Sequence, residues 1–484
     1  MGPGLRVSRN RDYPLICCEE RRCPVSDDIK PTAETGPPRE GSLDAPFRHP
    51  IAWKDEAYYD LAAVETEMER QFDVCHTCRR CFNLCDSFPR LFDMIDESKT
   101  GELDSVPKSD YAKVDEACTL CDMCFLTKCP YVPPHPFDID IPHLILRYRA
   151  AKRKQGHREF VREQLGRTDR NGKLAKPFAG VVNAMSARKN TPLRKLLEAI
   201  AQIDAEVELP TYHSKTATDR LKTPRAPNPD GPAFGQRKVA LYATCFVDYN
   251  EPDTAVAAAR VLALQGVEVK LVYPECCGMP QLEAGDLKDV AGRAERVAKV
   301  FAPLIEDGYD VVALTASCGL MMKFEWPLIE PDNAAVIALS AATRDICEYV
   351  VELQKAYGLT PGLAPVEGGV TLHHACHARA QNMGAKSAEM LRLIPDTRVE
   401  LVERCSGHGG TFGVMKSTAP VARKVGKAAA KQVAAKATEN LCSDCPLACK
   451  HLGQLMIAET TPQAAKPPRQ SHPIEIFARA YGPF

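Results

Sequence analysis

The chain has 484 residues, 45% apolar and 26% charged, which is ordinary for a soluble protein and enough for two to four domains with cores of their own. Its 62 Lys and Arg balance 63 Asp and Glu, which excludes a global field favouring nucleic acid or an anionic membrane. The 21 cysteines are odd in number and clustered, and no charged segment followed by an apolar one opens the chain, so a reducing cytosol is expected rather than a secreted disulfide scaffold.

Residues 1–48 mix Pro, Gly and charge without periodicity and are expected to be a disordered tail, with Cys17, Cys18 and Cys23 incidental to it. Residues 55–72 predict a helix. It leads into C-x2-C-x2-C-x3-C (Cys75, Cys78, Cys81, Cys85) and, after a polar loop expected over 86–114, C-x2-C-x2-C-x4-C-P (Cys118, Cys121, Cys124, Cys129, Pro130). Three cysteines at this spacing aim three thiolates at three corners of a cube, and the fourth iron needs a distant thiolate. The two runs have the spacing of a two-cluster bacterial ferredoxin, in which each run lends its last Cys to the other cluster. One 4Fe-4S cluster is therefore assigned to Cys75, Cys78, Cys81 and Cys129, the other to Cys118, Cys121, Cys124 and Cys85. Zinc, the competing reading, wants four thiolates rather than two triplets with a follower. The extra residue before Cys129, and Asp86 where proline usually follows the first run, depart from the pattern.

A helix is expected from Ile141 to Gln164, with the basic stretch Arg147, Arg149, Lys152, Arg153, Lys154 and Arg158 read as a solvated face in preference to a docking surface. No apolar run approaches the roughly 18 residues of a membrane span, so membrane contact is expected only at the periphery or through a partner. Residues 205–237, rich in Pro, Thr and Lys, predict a linker.

The C-terminal half repeats itself. KVALYAT (238–244) ends at Cys245, VEVKLVY (267–273) leads to Cys276 and Cys277, and DVVALTA (310–316) to Cys318; GVTLHHA (369–375) ends at Cys376, RVELVER (398–404) at Cys405, and ENLCSDC holds Cys442 and Cys445. Strands alternating with helices predict parallel sheets with right-handed crossovers. A cysteine after nearly every strand predicts one thiolate site per copy, in the crevice beyond the strand C-termini. Cys347 is expected to be packed, and Cys449 is a spare candidate. His373, His374 and His377 flank Cys376. They are candidates to relay protons to a quinone, with His374 and His377 read as structural or solvated and His373 left open. No G-x-G-x-x-G and no G-x4-G-K-[ST] is present, and GHGG (407–410) belongs to the cysteine-rich segment.

The segments ECCGMPQLEAGD (275–286), HHACHARAQNMG (373–384) and CSGHGGTFG (405–413) resemble the CCG cysteine-rich repeat of heterodisulfide reductase subunits, glycolate oxidase iron-sulfur subunits and anaerobic glycerol-3-phosphate dehydrogenase C subunits. TCFVDYNEP (244–252), KPFAGVVNA (176–184), LRKLLEAIAQID (193–204) and LPTYHS (209–214) look like the last of these, and the similarity spans roughly residues 70–480. The resemblance implies further iron-sulfur ligands at Cys245, Cys276, Cys277 and Cys318, and at Cys376, Cys405, Cys442 and Cys445. Both copies fall short of the family's five cysteines, with Thr315 and Ser406 at two of the positions. That argues against the disulfide-cleaving centre of the heterodisulfide reductases more than against an ordinary cube.

The expected fold class is α+β overall. A tail (1–48) precedes a helical two-cluster ferredoxin-like domain (49–165), a bridging region (166–237) and two α/β CCG repeats with parallel sheets (238–360, 361–484). The expected function is electron transfer from a partner flavoprotein dehydrogenase, acting on glycerol 3-phosphate or a related hydroxy acid, toward membrane quinone. The flavin would sit on that partner. A heterodisulfide reductase-like thiol/disulfide oxidoreductase and a soluble donor to a peroxide-scavenging iron protein are the alternatives. The expected location is cytoplasmic, with peripheral attachment to the inner face of the membrane left open.

Overall fold

Asp60 starts the helical N-terminal part by accepting from the N–H groups of Ala62 and Ala63, which caps α1 (Leu61–Cys78). Val64, Met68, Gln71 and Phe72 recur on one face of α1 and are buried. The helix stops at Arg79, in left-handed backbone at φ 52°, so the first cysteine run begins on the last helical turn. The computed structural model describes residues 46–459 and 468–483, and residues 1–45 of the expected tail (1–48), with Cys17, Cys18 and Cys23, lie outside them.

Three sequence expectations change here. The stretch 86–114 is not a polar loop: α2 (Ser87–Asp96) buries Phe88, Leu91, Phe92 and Ile95, and α3 (Ala112–Ala117) carries the chain to Cys118. The helix expected over 141–164 is two, α4 (Ile141–Lys154) and α5 (Phe160–Gly166), parted at Gly156 with φ 93°. The basic stretch of α4 is largely used internally. Arg149 bonds Asp115 and the carbonyls of Cys118 and Glu283, Arg153 pairs with Glu163 and Asp286, and Lys154 with Glu56. Beyond lie α6 (Thr168–Ala175), α7 (Ala179–Ser186) and α8 (Thr191–Ala201).

Both predicted repeats form parallel four-stranded sheets. The first has the order β2-β1-β3-β4, with β1 Lys238–Tyr242, β2 Glu268–Val272, β3 Tyr309–Ala313 and β4 Thr343–Asp345. The second has the order β6-β5-β7-β8, with β5 Val370–His373, β6 Val399–Val402, β7 Asn440–Ser443 and β8 Arg469–Ser471. Each first strand is central, so the chain reverses beside it, which opens the crevice where α/β sheets bind ligands. The short fourth strands were not foreseen; three residues carry little periodicity.

The repeats cover each other. The helix Pro473–Ala480, after β8, packs on the helix Pro252–Leu264 of the first repeat, and the helix Ile346–Tyr357, after β4, packs on Lys386–Leu391 of the second. Val239 and Leu241 of β1 share one apolar core with Val370 and Leu372 of β5, while a second core runs from α1, α2 and α4 into the other face of the first sheet.

Candidate functional site

Cys75, Cys78, Cys81 and Cys129 line one small pocket with Val74, Phe88, Phe92 and Ile139. Burial pushes the Cys75 thiol far up, and its neighbours Cys129, Cys81 and Cys78 add to that. The second set converges likewise: Cys124 is pushed up by burial and then by Cys121, Cys118, Cys81 and Cys85, and Cys118 to about 12, chiefly by burial. The influence of Cys81 on Cys124 marks where the two sets adjoin. Arg149 props the second loop by donating to the Cys118 carbonyl at 2.6 Å.

In the first repeat Cys245 follows β1 by three residues, and Cys245, Cys276, Cys277 and Cys318 meet at the strand ends. The Cys318 and Cys277 sulfurs are 3.3 Å apart. Hydrogen bonds from Cys245 and Cys277 draw the Cys276 thiol well below its ordinary range, while Cys245 and Cys277 are held up. Asp169, reaching in from α6, accepts the Cys276 N–H at 2.8 Å and a bond from the Tyr273 hydroxyl. Trp326 Nε1 donates to the Cys277 carbonyl at 3.1 Å.

The second repeat differs. Tyr242 of β1 pairs with Ala313, and His373 of β5 pairs with Ser443. Counting from those partners, the helix Ala316–Leu320 and the helix Pro446–Glu459 begin at equivalent points. Cys445 therefore occupies the place of Thr315, and Ala448 that of Cys318. Cys376, Cys405 and Cys445 come together, but Cys442 does not join them. It lies in β7 opposite Leu372, its thiol fully buried in the core between the sheets, near Cys449 and Cys347. Cys449 points to the carbonyls of Leu441 and Ser471. The second repeat thus offers three thiols, and a fourth stands beside them: Cys121 of the N-terminal helical part hydrogen-bonds Cys376.

Cys121, Cys376, Cys405 and Cys445 share a cavity of about 340 Å³ walled also by His374, His377, Arg379, Glu403 and Glu283. His373 is structural. Its ring nitrogens are both engaged, with Ser443 Oγ and the Arg404 carbonyl at 2.9 Å each, and burial lowers it to about 4. Neither His374 nor His377 is a solvated loop residue; each keeps a buried Nε2 without a hydrogen-bond partner. Glu283, which sequence reasoning missed, is raised to about 7 by burial and so can hold or release a proton near neutral pH. The two repeats touch just beyond β3 and β7, the Ala316 N–H donating to the Asp444 carbonyl at 3.4 Å.

The donor sets suit iron-sulfur clusters. So many buried thiols resist ionising together, and cationic iron is what would stabilise them as thiolates. Among the described residues no three His, Cys, Asp or Glu side chains close around a single-ion site.

The backbone around Cys405 is tightly set. Gly407 has φ 77°, and a Cβ there would sit 2.1 Å from the Ala422 carbonyl oxygen. The variant Gly407→Ala is expected to lose about 1–3 kcal/mol of stability in denaturant titration and to displace Cys405. Wild-type stability would refute the close approach.

Paired parallel sheets with cysteines grouped near their strand ends define a protein built on two cysteine-rich domains. The family model of the cysteine-rich domain matches residues 239–323 and 370–451. The C subunit of the anaerobic glycerol-3-phosphate dehydrogenase of Escherichia coli K12 is 28% identical over 352 residues, which are 71% of this chain and 83% of that protein. Lactate utilization protein A of Bacillus pumilus is 31% identical over 37% of this chain and 75% of its own length. The B subunit of the fumarate reductase (CoM/CoB) of Methanothermobacter marburgensis is 27% identical over 44% of this chain and 41% of that protein. The chain belongs to the CCG cysteine-rich domain family.

Proposed function

We propose that this chain is the iron-sulfur electron-transfer subunit of an oxidoreductase complex, receiving electrons from a flavoprotein dehydrogenase and passing them toward membrane quinone, with peripheral contact at the bilayer. The observation that carries the reading is the unbroken series of thiol groups. The set with Cys75 adjoins the set with Cys118, whose Cys121 bonds Cys376, and the Cys445 thiol feels Cys318 of the first repeat. Bound 4Fe-4S clusters would supply one-electron steps. Cys75, Cys78, Cys81 and Cys129, then Cys85, Cys118, Cys121 and Cys124, would hold two of them, and Cys245, Cys276, Cys277 and Cys318 a further one. Cys376, Cys405 and Cys445 form a site with fewer thiols and a cavity beside it. Glu283, His374 and His377 on that cavity wall are suited to handle protons for a two-electron acceptor such as quinone. The relatives named as dehydrogenase or reductase subunits support a multi-subunit setting, and the donor's substrate would be glycerol 3-phosphate or a related hydroxy acid.

Purification of the tagged chain without oxygen from its native cells, followed by mass spectrometry and metal analysis, tests this. A flavoprotein dehydrogenase in stoichiometric yield and at least about 8 iron atoms per chain are expected. Stoichiometric zinc without labile sulfide would refute the reading. Intact clusters with no partner and thiol/disulfide turnover by the isolated chain would favour the heterodisulfide reductase-like alternative.

A further inference from the structure

The bridging helices turn the wrong residues inward. Along α6, the turn Lys176–Phe178 and α7, the buried side is made of Gly172, Ala175 and Ala179, with Asn183 tied to the Tyr212 backbone. Gly172 lies so close to the Tyr249 ring that a Cβ would fall 2.3 Å from it. The large apolar side chains Leu174, Phe178, Val181 and Met185 recur at helical spacing on the opposite side and are 50–66% exposed. In α8, Leu196 and Ile200 are likewise 52% and 72% exposed. A helix that merely covered this protein would have the reverse arrangement. The unit is firmly built, because the buried Arg194 donates to the carbonyls of Ser186, Asp204 and Val207 and so locks α7, α8 and the following loop together.

Charge distinguishes the same stretch. The whole chain has a formal net charge of −1, yet from Arg170 to Leu197 it contains seven Lys and Arg and no Asp or Glu. Lys173 lies beside the apolar stripe at one end, Arg188 and Lys189 at the other, and Lys195 on α8, all exposed. Contiguous exposed apolar residues mark a surface that docks on something. A ridge one helix wide, apolar along its crest and cationic at its ends, has the form of an interfacial helix lying in the headgroup region of a membrane.

We infer that the outer face of α6, α7 and α8 seats this protein on an anionic lipid bilayer, with Leu174, Phe178, Val181 and Met185 entering the acyl boundary and the flanking Lys and Arg meeting the lipid phosphates. The inference rests on the membrane part of the functional reading above and locates it on the molecule. No helix among the described residues is long and apolar enough to cross a membrane, so this contact is interfacial.

The test is flotation of the full-length, cluster-loaded protein with vesicles of phosphatidylcholine containing roughly 30% phosphatidylglycerol, against phosphatidylcholine alone. Binding is expected to the anionic vesicles only and to fall as salt is raised. The triple variant Leu174→Ser, Phe178→Ser, Val181→Ser and the charge variant Lys173→Glu, Arg188→Glu, Lys189→Glu should each bind at least about tenfold more weakly, with iron content and melting temperature unchanged. Wild-type protein that ignores the vesicles, or a triple variant that binds like wild type, overturns the inference. Loss of a co-purifying protein from the triple variant, with no vesicle binding by wild type, overturns it in favour of a protein interface. Missing iron would instead strike the electron-transfer reading, and normal reduction of a soluble acceptor without vesicle binding would strike the surface alone.

Discussion

Replacing Cys118 by alanine is expected to lower bound iron by about four atoms per chain and to stop electron delivery through the protein, the largest functional effect of any single substitution. Cys118 belongs to the middle group of thiols, between the set with Cys75 and the site with Cys376. Its loss leaves three thiols and breaks the series at its centre rather than at an end. The measurement is anaerobic iron and sulfide analysis together with electron paramagnetic resonance of the reduced protein. Unchanged iron would remove Cys118 from the ligand set. Cys442→Ala supplies the contrast: its thiol lies in the inter-sheet core, so iron should be unaltered and only packing weakened, by roughly 1 kcal/mol.

The largest effect on stability is expected at Arg48. Its guanidinium, nearly sealed from solvent, pairs with Asp122 at 2.7 Å, Asp140 at 2.9 Å and Glu325 at 3.1 Å, and lies over the Phe125 ring. These partners tie the segment before α1 to the second cysteine loop, to α4 and to the first repeat. Burial opposes the charge of Arg48, but the three carboxylates outweigh it and hold its pKa well above the ordinary value. Burial likewise raises Glu325, yet His143 and Arg48 together bring it down to about 2. Arg48→Met leaves buried carboxylates without their cation and should cost about 3–5 kcal/mol at neutral pH.

The pH dependence carries a definite sign. A carboxylate depressed to about 2 in the folded protein contributes stability that is present above its unfolded pKa and is lost as pH falls toward the folded value. Without Arg48 the part of that contribution which Arg48 supplies is lost, and His143 is left to hold the carboxylate down. The deficit of Arg48→Met relative to wild type should therefore hold at neutral pH and shrink as pH falls from about 4.5 toward 2 in urea titrations. A deficit that stayed constant would show that lost packing on Phe125, rather than charge, accounts for the effect.

Much of this architecture was legible because its signals are periodic or spaced. The two cysteine runs sit against each other, and each predicted strand of the two repeats is present, with the cysteines just beyond it except Cys442, which lies inside β7. The failures have physical causes. In α2, Pro89 in the first turn disguised a helix whose burial pattern of Phe88, Leu91, Phe92 and Ile95 is otherwise regular. In α4 the count of basic residues suggested a wet face, since a sequence does not show which arginines meet Asp115 or Glu163 across space. The sequence offers both Cys442 and Cys445 as ligands with Cys449 spare, and only the pairing of β5 with β7 shows that Cys442 lies within the strand and Cys445 beyond it. The approach of Cys121 to Cys376, like that of Glu283 to the cavity, joins residues far apart in the chain and left no local trace.

The mutual covering of the two repeats also has a temporal side. The helix Pro252–Leu264 waits for Pro473–Ala480, about 210 residues downstream, which at ribosomal rates is roughly 10–40 s of synthesis. During that interval the first repeat has its strands but not its cover. Delivery of the cluster proposed for Cys245, Cys276, Cys277 and Cys318 would thus have a window before the second half docks, and slowing elongation after β4 should raise the fraction of chains that leave the ribosome loaded.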